Sequence, residues 1–162
     1  MEDVLSKARN LSFLADFLKR MDLSVPEVAD LMGTSRQRLY HWFRKDDARV
    51  SVLCALAESC GCRLSFDLVR KRTDTNPNVV RRKTTGQRID FVWEALQDSQ
   101  MTIQALADSL QISASAVKHW KKVDDCMYST LLKIADTTGL ELKTSFKYSR
   151  RGRPVKNLFE YE

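Results

Sequence analysis

The sequence repeats itself. Moving residues 13–64 forward by 78 positions lays them on residues 91–142 without a gap. Fourteen of those 52 positions are identical, among them Ser35/Ser113, His41-Trp42/His119-Trp120 and Asp46-Asp47/Asp124-Asp125. Chance gives only about 3, so the chain reads as a duplicated supersecondary unit. Whatever one copy folds into must also serve the other.

The periodicity within each copy is helical. Val4, Leu5, Ala8, Leu11, Leu14, Leu18 and Met21 recur at helix spacing, predicting a helix over much of 4–21 that Asn10 or Ser12 can break by capping a second start. Ser24 with Glu27 three residues on is a capping box, and Pro26 falls in the first turn of the helix it opens, Val25–Leu31. Gly33 permits a sharp turn. Ser35 caps the next helix, Arg36–Arg44, whose inner side is read as Leu39 and Trp42. A further helix, Ser51–Cys60, closes at Gly61. Alternation in Arg63–Val69 then predicts a strand. The second copy follows the same order. A helix covers Arg88–Ser99, with Ile89, Val92, Trp93 and Leu96 inward. Thr102 and Ser113 cap the next two, the latter burying Val117 and Trp120; Gly139 closes the last, and Leu140–Tyr148 is the second strand.

Composition narrows the class. With 43% hydrophobic residues the chain can bury a core, and no apolar run nears the roughly 20 residues of a membrane span. Met1–Asn10 has no signal-peptide pattern, so a cytoplasmic, nucleoid-associated protein is expected. Cys54, Cys60, Cys62 and Cys126 lack the spacing of a zinc knuckle or redox pair, so no metal and no cofactor is expected. Net charge is +6, with basic residues clustered at 70–83 and 147–156, outside the repeats. That is where phosphate-following segments would sit. No constellation of nucleophile, base and orienting group is present, so an enzyme is not expected.

Gly33–Asp47 and Gln111–Asp125 each read as a tight turn followed by a short helix with a polar open side, the second half of a helix-turn-helix. The groove-facing candidates of the first are Ser35, Arg36, Gln37, Arg38, Tyr40, His41 and Arg44. Those of the second are Ser113, Ala114, Ser115, Lys118, His119 and Lys122. Arg suits guanine bidentately and Gln suits adenine. The second set is shorter and less informative, so the first half-site is expected to dominate specificity.

Gly33-Thr34-Ser35, Leu39 and Trp42, followed by Leu53, Leu56, Ala57 and Gly61, resemble the helix-turn-helix domain of the lambda-repressor-like (XRE or Cro/C1) family. The second copy resembles it through Leu106-Ala107, Ile112-Ser113, Val117, Trp120, Leu131, Ile134-Ala135 and Gly139. Both lack the Gln that the family often places at the start of helix two. The resemblance implies a mainly α fold of two tandem domains that bind double-stranded DNA. Some members, such as HipB-like antitoxins, pair a terminal strand across a dimer. Here the expectation is that the two strands pair antiparallel within one chain, giving an intrachain pseudo-dimer. The alternative is pairing between chains in a homodimer. Two reader helices roughly 34 Å apart would then meet an imperfect palindrome.

The expected organisation is domain one with its strand at 1–70, a basic linker at 71–86, domain two with its strand at 87–148, and a tail at 149–162. In that tail Arg151-Gly152-Arg153-Pro154 resembles the core of an AT-hook, which lies in a narrow minor groove. The plainer reading is a basic tail. The functional expectation is a bacterial, phage or mobile-element transcriptional regulator. The alternatives are an antitoxin-like module with a partner protein, or an architectural or recombination accessory factor.

Overall fold

A computed structural model describes residues 2–70 and 89–148. The expected linker 71–86 and tail 149–162 lie outside the described residues, Arg151, Gly152 and Arg153 among them. The described residues form a mainly α structure with one two-stranded antiparallel sheet. The helices are α1 Glu2–Ser6, α2 Ser12–Arg20, α3 Val25–Met32, α4 Arg36–Lys45 and α5 Val50–Ser59. After β1, Cys62–Arg70, come α6 Asp90–Asp98, α7 Ile103–Leu110, α8 Ala114–Val123 and α9 Tyr128–Thr138, then β2, Leu140–Tyr148. Every start from α2 to β1 recurs 78 residues later. So do the left-handed residues: Asp22/Gln100, Gly33/Gln111, Asp46/Asp124 and Gly61/Gly139. The duplication in sequence is therefore a duplication in backbone.

Local chemistry sets the boundaries. Ser24 Oγ accepts the Glu27 N–H while Glu27 Oε2 accepts the Ser24 N–H at 2.8 Å, the reciprocal box expected from the sequence. Thr102 accepts the Ala105 N–H at 3.1 Å, and Ser35 and Ser113 each accept the N–H three residues on. The long first helix is not one helix: α1 ends at Ser6 and α2 starts at Ser12. Neither Asn10 nor Ser12 caps the restart, because the N-cap is Leu11 and it makes no side-chain cap bond. The carboxylate of Asp46 serves instead, accepting the N–H groups of Arg9 (3.0 Å), Asn10 (2.8 Å) and Leu11 (2.9 Å).

The chain divides into two compact units, Met1–Leu64 with the end of β2 from Phe146, and Ser65–Ser145. The core of the first gathers Leu11, Leu14, Leu18, Val28, Leu39, Phe43, Leu53 and Leu56. Phe146 stacks on Phe17 in this unit, with ring centroids 3.9 Å apart and planes 10° apart. The core of the second gathers Ile89, Phe91, Val92, Leu106, Val117, Leu131 and Ile134. Phe66, 1% exposed, lies 6.2 Å from both the Phe91 and Tyr128 rings there. Each unit thus takes an aromatic ring from the strand of the other sequence repeat.

Three inward assignments need correction. Trp42 and Trp120 are half-buried, not core. The side chain that α4 buries with Leu39 is Phe43, one turn on at i+4. In α8 Val117 alone is buried, because the position of Phe43 is held by exposed Lys121, whose ammonium sits 5.7 Å from the Trp93 ring centroid. Trp93, also read as inward, is half-buried under that contact.

Candidate nucleic-acid interface

The polar open side of α4 follows from what its other side must do. Leu39 and Phe43 face the core and are 0% and 2% exposed. Helical spacing then puts Gln37, His41 and Arg44 on the opposite stripe at i, i+4 and i+7, with Arg38 and Lys45 beside it. Ser35, Arg36, Gln37, Arg38, His41, Arg44 and Lys45 are all exposed. Tyr40 is half-buried and forms part of the wall of a cleft of about 670 Å³ floored by Leu18, Leu23 and Val25.

Both ends of α4 are held. At its start, Gly33 takes the left-handed conformation (φ 65°), and Thr34 N–H reaches Ala29 O at 3.0 Å. Ser35 Oγ then caps the helix through the Arg38 N–H. At its end, Asp46 turns left-handed (φ 54°), which directs its carboxylate to the backbone before α2. A helix presented to a partner with its ends fixed loses little freedom on contact.

In the second unit α8 is framed alike. Gln111 makes the left-handed turn (φ 56°), Ser113 caps, and Asp124 Oδ1 accepts the Ile89 N–H at 2.9 Å. Its open side carries Ser115, His119 and Lys122 at i, i+4 and i+7, with Lys118 beside them. Ser113, Ser115, Lys118, His119 and Lys122 are exposed, and Ala114 is half-buried.

The two faces differ in charge and polarity. The first adds exposed Lys45 and Arg49 to the expected cations, and the same positions in the second hold Val123 and Met127. Lys45 and Arg49 were not among the residues expected from the sequence. The signal for them is their position on either side of Asp46–Ala48, where the chain leaves α4. Exposed Ile112, Val123 and Met127 (36%, 41% and 38%) leave the second face more apolar, where the first has Thr34, Lys45 and Arg49.

Among the described residues no group of three or more His, Cys, Asp or Glu side chains is arranged to hold a metal ion. Nor is any helix there long and apolar enough to cross a membrane. Cys60, fully buried, has its thiol pushed up to about 11 by burial and then by neighbouring Cys62; burial also raises Cys62. No protein-family model matches this chain, and comparisons with curated proteins and with solved structures find no match.

Proposed function

We propose that this protein binds double-stranded DNA sequence-specifically, with α3–α4 and α7–α8 acting as two helix-turn-helix readers of the lambda-repressor-like kind. The carrying observation is the row Gln37–His41–Arg44, flanked by Arg38 and Lys45, exposed on a helix fixed at both ends. Arg and Gln are the side chains that read guanine and adenine edges in a major groove, and the cations around them suit phosphates. The recurrence of the same frame after 78 residues supports a two-part site in the DNA. In this reading the β1–β2 ribbon makes the chain an intrachain pseudo-dimer. Its operator is an imperfect palindrome whose first half carries most of the base information, because α8 offers Ser115 and Ala116 where α4 has Gln37 and Arg38. Transcriptional regulation is the consequence of such occupancy.

Selection of bound sequences from a random duplex pool at two salt concentrations tests this. A recovered motif with one strong and one weak half, persisting at the higher salt, is the expected result. Binding that collapses with salt and enriches no motif would mean phosphate contact alone and would overturn the reading.

A second reading is favoured by Ile112, Val123 and Met127, which make the second face more apolar than the first. It is an antitoxin-like module in which the second unit holds a partner protein and DNA binding resides in the first. Unchanged DNA affinity on replacing Lys118 and Lys122 together would support it.

A further inference from the structure

We propose that the cleft of the first unit binds a free aromatic amino acid, with its ring inside against Tyr40 and its charged groups at the rim. The cleft lies between α1, α2 and α3 and is walled by Tyr40 of α4. Its volume of about 670 Å³ falls in the range of small-molecule sites, roughly 300–1,000 Å³. Leu18 and Val25 at its floor are buried, and Ala15 lines it from α2. An apolar floor with a few polar groups at the edge is the character of such sites.

The second repeat points to the occupant. Leu18 and Val25 recur there as Leu96 and Ile103, but Ala15 is replaced by Trp93 and Tyr40 by Lys118. The Trp93 ring is half-buried, with the Lys121 ammonium 5.7 Å from its centroid. An aromatic ring thus grows from the α6 position that corresponds to Ala15. In the first unit the side chain at that position stops at a methyl group and borders the cleft. A ring supplied from outside therefore gains the burial that the second unit obtains from its own chain, and Tyr40 gives it an aromatic neighbour. The rim narrows the class further. Asp16 and Lys19, both exposed, put a carboxylate and an ammonium three residues apart on α2, where they are neighbours on the helix surface. They complement a ligand that carries an ammonium and a carboxylate together beside its ring. The inference stands independently of whether the chain reads DNA.

The test titrates the whole isotope-labelled chain with L-tryptophan and follows its amide NMR shifts. The Ala15 and Tyr40 resonances should move together and saturate with a Kd of about 1 mM or below. Indole, which has the ring without the charges, should move the same resonances with weaker affinity. L-Leucine, which has the charges without the ring, should leave them unmoved. Ala15→Trp installs the residue of the second repeat and should abolish the response to L-tryptophan. Lys19→Gln, a change at an exposed position to the residue the second repeat has as Gln97, keeps the test open should Ala15→Trp fail to fold. It should weaken L-tryptophan about two- to fivefold, the worth of one exposed ion pair, and leave indole unchanged. No saturable shift up to about 10 mM overturns the proposal, as do shifts that persist in a folded Ala15→Trp chain. So does L-leucine binding as well as L-tryptophan, or Lys19→Gln weakening indole and L-tryptophan alike.

Discussion

The carboxylate of Asp46 accepts the backbone N–H of Leu11 at 2.9 Å across 35 residues, and Asp124 accepts that of Ile89 in the same way 78 residues later. One side chain therefore ends α4 and holds the backbone at the start of α2. The Arg9 and Asn10 N–H groups bind the same Asp46 carboxylate, so three donors at a helix start depend on it. Asp46→Ala leaves them without that acceptor, and at about 1 kcal/mol per net hydrogen bond, more when one partner is charged, the loss should be about 2–3 kcal/mol. Asp46→Asn, which keeps one acceptor oxygen and tolerates the left-handed turn, should lose about half as much. Urea unfolding at constant slope measures both. Equal stability of Asp46→Ala and the unsubstituted chain would show that the bonds do not stabilise the fold.

Gln111 occupies the left-handed turn that Gly33 makes in the first copy. A side chain there costs roughly 1 kcal/mol in backbone conformation. Gln111→Gly should therefore stabilise the protein by about 0.5–1 kcal/mol. Gly33→Ala should destabilise it by a similar amount, through conformation alone, since an added Cβ meets nothing within 4 Å. Thermal denaturation reads both signs.

Burial of Cys60 raises its thiol from 9.0 to about 11 in the folded chain. The sign follows: a group whose folded value lies above its unfolded one contributes stability that is full below the unfolded value, and that contribution is lost as pH rises through the folded one. Melting temperature should fall between pH 9 and about 11 more steeply in the unsubstituted chain than in Cys60→Val. At pH 8 an alkylating reagent should reach half-buried Cys54 well before Cys60. Identical pH profiles for the two proteins would remove Cys60 from the effect.

On the proposed reading, Lys45 and Arg49 add phosphate grip that the second unit lacks at Val123 and Met127. Replacing both with the residues of the second copy, Lys45→Val with Arg49→Met, should lower the salt slope of DNA binding by about 2, roughly 0.9 per phosphate contact. Base preference should stay unchanged. Anisotropy titrations over a series of salt concentrations give the slope, and an unaltered slope would take these residues out of the interface.

Much of this was legible in the sequence because capping is local chemistry. Ser24 with Glu27, Thr102, Ser113 and Gly139 declare their roles within four residues. Long-range partners do not. Asp46 reads as a helix stop because the N–H groups it binds lie 35 to 37 residues back, although its recurrence as Asp124 was the available hint. The inner side of α4 is ambiguous for a different reason: i+3 and i+4 from Leu39 suit one helix face equally, so the spacing that points to Trp42 does not separate it from Phe43, which α4 buries. The strands are readable from alternation, and Phe66 and Leu68 are buried, while Leu142 and Phe146 are half-buried.

On the proposed reading, the open side of α4 reads bases. The duplex-pool selection repeated with Gln37→Ala tests it, since Gln37 is exposed and its truncation should leave the fold unchanged. Preference should be relaxed at one or two adjacent base pairs of the stronger half-site, by about 1–3 kcal/mol, with the other half-site unaltered. A recovered motif identical to that of the unsubstituted protein would contradict it.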